Sequence, residues 1–477
     1  MKAPFSPYLA GIHDGLKRLI ELLERDYDYV SALATDSVGF ALRISQHAKA
    51  VKNETMTTER GVVLRVWRDG LYSEYALTGF DPADPEGAYA EIRSALDAQL
   101  ALLRETRTAV YETPKLPDEP LTLFVEKEAE QLPETTDLRA LVDQLTALSD
   151  QGMTLDPRMI ECFASAQSTH ISKLFLTRNR DLAQSYVYSE GVVAAVVMED
   201  GRNQMDYGNV SGLGGPELFA GLDAKLERAA ANAVELLSAG RIEPGEYEII
   251  ACPEVSGLIA HEAFGHGVEM DMFVKNRALG KDYIGKRVGS EKCTMHEGAL
   301  CAENVTSYAF DDEGVPAGDV TEIDAGILKT GICDSLAALR LGVQPTGNGK
   351  RENFAHKVYT RMTNTLFDSG DDTLEEMIAS IRRGYLLEGV ESGMEDPKHW
   401  GIQCIVKKGR EIVDGRLTGK VVAPIIMTGY VPELLGSISM RSKDREVFGG
   451  GGCGKGNKEW VKVSDGGPYL KMKARLG

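Results

Sequence analysis

Residues 245–273 read GEYEIIACPEVSGLIAHEAFGHGVEMDMF and place a short apolar strand directly before a helix. The apolar run through Ile249 and Ile250 is typical of a buried strand, and Pro253 suits the first turn of the helix that follows it. Upstream of this junction helical and strand-like stretches alternate, whereas downstream strands and turns dominate. We therefore predict an α+β fold, with an N-terminal α+β domain of mixed sheet and helices over residues 1–240 and a C-terminal β-rich domain over residues 241–477.

The predicted helix carries His261, Glu262 and His266 in the order H-E-x-x-x-H. The zinc-peptidase signature H-E-x-x-H places its two histidines four residues apart on one helix face. Five residues apart, at about 100° per residue, they project about 140° from each other, too far round a regular helix to hold one ion. A π-type turn would bring the imidazoles together, and so would a break of the helix at Gly265 or Gly267.

The residue types suit a metal centre in the C-terminal domain. Neutral imidazoles bind Zn²⁺, and a catalytic zinc ion keeps three protein ligands and one position for water, whose pKa it lowers. Glu262 lies next to the first histidine and would take the proton from that water and pass it to the leaving amine. The alternative is a helix that carries these residues without a metal.

Two histidines require a third ligand, and several residues qualify. Those near the helix in sequence are Cys252, Glu269, Asp271, His296 and Glu297. A distant candidate is Cys453, in the stretch VFGGGGCGKGNKEW at residues 447–460. Because a glycine-rich segment costs entropy to order, its glycines indicate close backbone approach to a metal or an extended peptide. The alternative is a flexible linker that contains a cysteine.

Three stretches, AHEAFGHGVE (260–269), GGGGCGKGNK (449–458) and VSDGGPYLKM (463–472), together resemble the TldD branch of the TldD/PmbA family of metallopeptidases. The stretch TTERGVVLRVWRDGLYSEYALTGFD (57–81) also resembles that family's N-terminal segment. The resemblance covers most of the chain. It implies that His261, His266 and Cys453 are the zinc ligands and that Glu262 is the catalytic glutamate.

The same resemblance implies a cytoplasmic, zinc-dependent peptidase that hydrolyses small unfolded peptides or disordered proteins. It also implies a homodimer, or a heterodimer with a zinc-less paralogue of the TldE/PmbA type. One rival hypothesis is a non-catalytic scaffold or partner subunit with a structural or absent metal. Another is a hydrolase that uses Cys453 as its nucleophile.

The glycines Gly450, Gly451 and Gly452 are the predicted substrate contacts, because an extended peptide that adds as an extra strand needs open backbone. The polar stretch SMRSKDREVFGG (439–450) predicts a mobile loop over the site. Basic residues flank the glycines and would attract an acidic peptide or a C-terminal carboxylate, or are ordinary surface charge: Arg441, Lys443, Arg445, Lys455 and Lys458.

Composition restricts the remaining function classes. The formal net charge of -19 disfavours direct nucleic-acid binding, which requires a basic footprint. We find neither a signal-peptide pattern nor a run of 18 apolar residues, so no membrane segment is predicted. The 7 cysteines are widely spaced and form no C-x-x-C pair, which indicates a reduced, cytoplasmic chain.

Overall fold

The structure is a computed structural model of the 477-residue chain, and it describes residues 1–52, 58–106, 112–456 and 459–477. The first sheet of the described residues has eight strands. These strands are β1 (Tyr29–Ile44), β2 (Lys49–Lys52), β3 (Arg60–Arg68), β4 (Leu71–Leu77), β5 (Leu121–Glu126), β6 (Met159–Leu176), β7 (Arg180–Glu199) and β8 (Arg202–Leu213). Its order is β4-β3-β1-β6-β7-β5, with β2 beside β1 and β8 beside β7. All its pairs are antiparallel except β5 with β7, so the sheet is mixed as predicted.

One face of this sheet is covered by four helices: α1 (Pro7–Leu23), α2 (Pro85–Glu105), α3 (Leu138–Met153) and α4 (Asp223–Leu237). The hydroxyl of Ser6 accepts a hydrogen bond from the N–H of Leu9 and so caps α1 at its start. The opposite face packs against the C-terminal half, where Phe310 contacts Leu33 and Phe175. The sheet is therefore buried on both faces.

The C-terminal half is rich in strands, as predicted. Its strands are β9 (Gly245–Ala251), β10 (Met295–Glu297), β11 (Val320–Asp324), β12 (Ile327–Leu328), β13 (Gly349–Lys350), β14 (Tyr359–Thr360), β15 (Asn364–Phe367), β16 (Arg383–Asp396), β17 (Gly401–Val413), β18 (Arg416–Val422), β19 (Ile425–Tyr430), β20 (Met440–Phe448), β21 (Gly452–Lys455), β22 (Glu459–Lys462) and β23 (Ser464–Leu476). Among the described residues, β13–β14 and β21–β22 form separate two-stranded ribbons, and the other eleven strands form one sheet. The predicted α+β fold class is confirmed, while the domain boundary at residues 240/241 stays a prediction.

Part of the second sheet closes on itself. Strand β9 pairs with both β16 and β23, and the path β23-β19-β17-β16 leads back to β9. The short helices of this half are α5 (Pro253–Ala260), α6 (Met270–Val274), α7 (Ser335–Leu341), α8 (Leu374–Ala379) and α9 (Val431–Gly436). Helix α5 follows β9 directly and packs against β23 and β16, with Val255, Leu258 and Ile259 buried. This packing fixes the helix that leads into the histidines.

The predicted loop at residues 439–450 is wrong. Residues Met440–Phe448 form β20, which pairs antiparallel with β23 and has one isolated bridge, from Ser442 to Asp372, on its other side. Because β20 lies at an edge and exposes several of its side chains to water, its sequence is polar enough to resemble a loop. No helix of the described residues is long and apolar enough to cross a membrane.

Candidate metal centre

The helix that begins at Pro253 changes its winding at the first histidine. A π-helical turn over His261–Gly265 follows α5, and a 3₁₀ turn continues over His266–Val268. The N–H of His266 donates to the carbonyl of His261, which is the hydrogen bond from residue i+5 to residue i that defines a π turn. Of the two distortions considered from the sequence, the structure therefore has the π turn. It brings the two imidazole centroids to 5.0 Å, at an interplanar angle of 87°.

Only a glycine fits at position 265 of this turn, because the space that a side chain would need is already filled. A Cβ atom at this position would lie 2.3 Å from the sulfur of Met362, which is itself fully buried. The turn is thus pressed against β15 and its neighbours with no room for a side chain.

Cys453 reaches the histidines from the distant ribbon β21–β22. Its Sγ lies 3.1 Å from Nε2 of His266. His261, His266 and Cys453 each offer one ligand atom, and these three atoms lie within 4.8 Å of one another. All three residues are buried, and Nδ1 of His261 has no hydrogen-bond partner. Two imidazoles, a thiolate and an unsatisfied ring nitrogen fit a metal ion of the zinc type.

The electrostatics prepare the cysteine for metal binding. Burial favours the neutral thiol, but the charge of His266 and hydrogen bonds from His261 and His266 outweigh it and lower the pKa of Cys453 to about 5. The thiolate that results at neutral pH is the form that binds metals. Burial also opposes the charged imidazole of His266, yet Glu269 and Cys453 raise the pKa of His266 well above its ordinary value.

Glu269 is not in the ligand cluster and pairs with the second histidine instead. Its Oε2 lies 3.0 Å from Nδ1 of His266 and 3.1 Å from Nζ of Lys455. A carboxylate that accepts from one ring nitrogen leaves the other nitrogen free to bind a metal. Arg361, which is 1% exposed, holds the cysteine strand by donating to the carbonyls of Cys453 and Glu459, each at 2.7 Å.

The other third-ligand candidates lie elsewhere. Asp271 pairs with Lys455 at 2.7 Å, and Cys252 is the residue before α5. His296 pairs with Asp319, and Glu297 accepts hydrogen bonds from threonines of the neighbouring strand. None of these four residues belongs to the cluster of His261, His266 and Cys453.

A cavity of about 690 Å³ opens onto the cluster, and its wall includes both histidines, Cys453 and Glu262. The structure also places Gly450, Gly451 and Gly452 in this wall, where the sequence predicted substrate contacts. The flanking basic residues are not part of the described lining. Lys455 is buried against Glu269 and Asp271, three others lie on β20, and Lys458 lies outside the described residues.

Glu262 packs closely against a glycine that the sequence did not identify as a site residue. A Cβ atom at Gly393 of β16 would lie 2.5 Å from Cγ of Glu262. Two residues further along the strand, Glu395 hydrogen-bonds to Glu262; burial and this neighbouring carboxylate raise the pKa of Glu395 to about 8, against the opposing effect of His266. Nothing in the sequence around Glu395 distinguishes it from other surface glutamates, so only the fold identifies it.

This geometry defines a class of protein, an α+β chain with a buried His–His–Cys centre of metal-binding type at the wall of a large cavity. Residues 244–474 match the description "PmbA/TldA metallopeptidase C-terminal domain". This match and the relatives named TldD homologs confirm, for residues 244–474, the resemblance to the TldD/PmbA family found in the sequence.

Relatives and solved structures agree with this family. A metalloprotease of Methanocaldococcus jannaschii is 34% identical over 51% of this chain and 53% of its own length. A zinc metalloprotease TldD homolog of Saccharolobus solfataricus is 34% identical over 48% of this chain and 51% of its own length. The matches thus span about half the length of these two relatives. The crystal structure of TldE from Thermococcus kodakarensis has the same fold, with a TM-score of 0.77 at 18% identity over 97% of this chain and 100% of that one.

Proposed function

We propose that the chain is a zinc metallopeptidase that hydrolyses peptide bonds of small unfolded peptides or disordered proteins. In this proposal His261, His266 and Cys453 hold Zn²⁺, and Glu262 is the general base and acid. The observation that carries the proposal is the convergence of the three ligand atoms within 4.8 Å of one another, at the wall of the cavity that also exposes Glu262. The names of the relatives, metalloprotease and zinc metalloprotease, support the same activity.

The residues divide the chemistry among them. Bound in this centre, zinc supplies Lewis-acid activation at neutral pH. Glu262 accepts a proton from the attacking water and delivers it to the leaving amine. Glu269 accepts a hydrogen bond from the Nδ1–H group of His266. This leaves Nε2 of His266 as the nitrogen that binds the metal.

Gly450, Gly451 and Gly452 provide open backbone along the cavity. An extended peptide that adds here as a strand forms main-chain hydrogen bonds, which hold it with little regard to its sequence. Only an unfolded segment has its backbone free for this, so the proposed substrates are unstructured peptides.

The proposal extends to the setting of the enzyme. The seven cysteines are free thiols, which supports a reducing compartment such as the cytoplasm. The likeness of this fold to TldE supports assembly either as a homodimer or with a zinc-less paralogue of that type. Co-purification of such a paralogue would identify the heterodimer, and cleavage by the isolated chain would exclude an obligate one.

Metal analysis and peptide cleavage together test the function. We expect about one zinc per chain, and we expect Cys453→Ala to lower this content sharply. The matched control is Cys162→Ala, which removes a buried thiol from the N-terminal sheet and should leave the zinc in place. Glu262→Gln should keep the zinc and lose cleavage of an unstructured peptide. Full cleavage by Glu262→Gln would refute its catalytic role, and unchanged zinc in Cys453→Ala would remove Cys453 from the centre.

The same experiment separates the rivals. The distance of 3.1 Å between Cys453 and His266 also suits a cysteine nucleophile. A thiolate bound to zinc is no longer a free nucleophile, so chelation of the metal abolishes a metallopeptidase but not a cysteine hydrolase. A non-catalytic scaffold would show no cleavage by the zinc-loaded wild-type protein in any assembly.

A further inference from the structure

The lining of the cavity beside the proposed metal centre is rich in carboxyl groups. Five of its lining residues carry carboxyl groups: Glu254, Glu262, Glu391, Glu395 and Asp465. None of the described residues in the lining is a lysine or an arginine. Nor does any lysine or arginine of the described residues form a salt bridge with one of the five; Asp465 lies 4.0 Å from His261. Apart from the two histidines, the described lining therefore carries no basic side chain, and its carboxyl groups outnumber its basic groups.

The acidic groups are spread along the cavity rather than gathered at one point. Glu391 and Glu395 lie on β16, four residues apart, which corresponds to about 13 Å along a strand. Gly393 lies between them and contacts Glu262. One carboxylate thus lies on each side of the position of the general base, where an extended substrate would run past it.

The same wall also carries exposed apolar side chains. Trp460 and Met394 also line the cavity and are 49% and 60% exposed. Exposed apolar side chains beside carboxylates suit the long aliphatic stem and charged head of lysine or arginine.

A bound metal would not neutralise these carboxyl groups. A divalent ion held by the Cys453 thiolate would leave one net positive charge at the ligands. Glu395, whose pKa is raised to about 8, is largely protonated at neutral pH, but four other carboxyl groups line the same wall. The remaining negative potential favours an incoming positive charge and disfavours an acidic one.

We infer that the substrates of this site are cationic peptides, with a lysine or arginine near the bond to be cleaved. The charged head lies near Glu391, and the stem packs on Trp460 or Met394. The inference rests on the proposed function for the cleavage step, but the binding preference stands on the cavity alone. It replaces the acidic-peptide alternative, because the basic residues that suggested it are not in the described lining.

Binding and cleavage should be measured on the full, zinc-loaded chain with three unstructured peptides. The peptides are acetylated and amidated, to exclude their end charges, and differ only in one central residue, Lys, Gln or Glu. At low salt we expect the Lys peptide to bind about tenfold tighter than the Gln peptide in fluorescence anisotropy, with the Glu peptide weakest. The preference should shrink as salt is raised.

Variants assign the preference to the cavity. Glu391→Gln should reduce the Lys-to-Gln affinity ratio to within about twofold of unity. Because Glu391 is exposed, this variant should fold like the wild type. The control Glu291→Gln removes an exposed carboxylate that is not part of the described lining and should keep the full ratio.

The outcomes are distinct for the two proposals. Equal affinity for the three peptides, or an unchanged ratio in the variants, overturns the cationic preference. Cleavage of all three peptides at equal rates overturns the preference but keeps the peptidase. Preferential binding of the Lys peptide supports the preference, and absence of cleavage both by the isolated chain and by its assembly with a TldE-type paralogue refutes the peptidase.

Discussion

Replacing Glu269 by glutamine should weaken the metal centre without touching a ligand. Oε2 of Glu269 accepts from Nδ1 of His266 at 3.0 Å, and Glu269 is 2% exposed. Glutamine keeps the volume but removes the charge that holds the imidazole in its metal-binding tautomer. Loss of such a partner typically lowers metal affinity by about 10–100-fold, or about 1.4–2.7 kcal/mol.

The same change also removes a negative partner from two buried cations, Lys455 and Arg361, so stability must be measured beside affinity. Arg361 would keep its hydrogen bonds to the carbonyls of Cys453 and Glu459. Lys455 would keep Asp271 at 2.7 Å and the carbonyl of Thr360 at 3.0 Å. We therefore expect a loss of about 1–3 kcal/mol in the free energy of unfolding rather than the larger cost of a fully unpaired charge. Urea denaturation of the metal-free protein measures this loss.

Asp271→Asn is the matched control. It removes the other carboxylate from Lys455, and also the one that pairs with Lys275 at 2.9 Å, but Asp271 has no hydrogen bond to His266. Both variants should lose stability, and only Glu269→Gln should lose zinc affinity in a titration against a chromophoric chelator. Zinc affinity of Glu269→Gln within about threefold of wild type, or an equal loss in Asp271→Asn, would refute the orienting role.

Two further changes test other parts of the structure. Gly393→Ala should displace Glu262, because the new Cβ would lie 2.5 Å from Cγ of Glu262. We expect this variant to cleave peptides about 100-fold more slowly with its zinc content unchanged. The control Gly401→Ala adds a Cβ where nothing lies within 4 Å and should cleave peptides at the wild-type rate. His296 has its pKa raised to about 9, mainly by its hydrogen bond to Asp368. Because the folded pKa exceeds the unfolded one, the stability from this pair is complete below about pH 6.5 and is lost as pH rises through about 9. The difference in unfolding free energy between wild type and His296→Gln, followed by urea denaturation from pH 6 to 10, should therefore vanish at the alkaline end, and a constant difference would contradict the pairing.

The residues of the candidate centre were predictable from the sequence because their side-chain chemistry is read directly from the residue types. His261, Glu262 and His266 lie within six residues of one another, and the glycines around Cys453 set it apart from the other cysteines. The five-residue spacing showed that a regular helix could not bring His261 and His266 to one metal ion. It did not determine which distortion occurs, because that depends on packing against Met362, about 100 residues away.

Residues that act through long-range contacts were not accessible in this way. Arg361 holds the backbone of Cys453 from 92 residues away, and Glu395 reaches Glu262 from a different strand. Neither position carries a local pattern, since an arginine or glutamate on a strand is ordinarily a surface residue. The prediction of a loop at β20 was wrong for a related reason. The polar sequence of β20 reflects its place in the sheet, which only the pairing with β23 reveals.

The net charge of the chain restricts its function classes, but it does not predict the charge of the site. A formal net charge of -19 disfavours nucleic acid but does not say where the acidic groups lie. The fold concentrates five of them around one cavity and keeps the nearby cations out of its described lining, with Lys455 buried instead against Glu269 and Asp271. Lys455 thereby supports Glu269, which is the hydrogen-bond partner of the proposed ligand His266. The cavity wall that would face the substrate stays rich in carboxyl groups. The same basic residue that suggested an acidic substrate in the sequence thus stabilises the centre, and the preference inferred for the substrate is reversed.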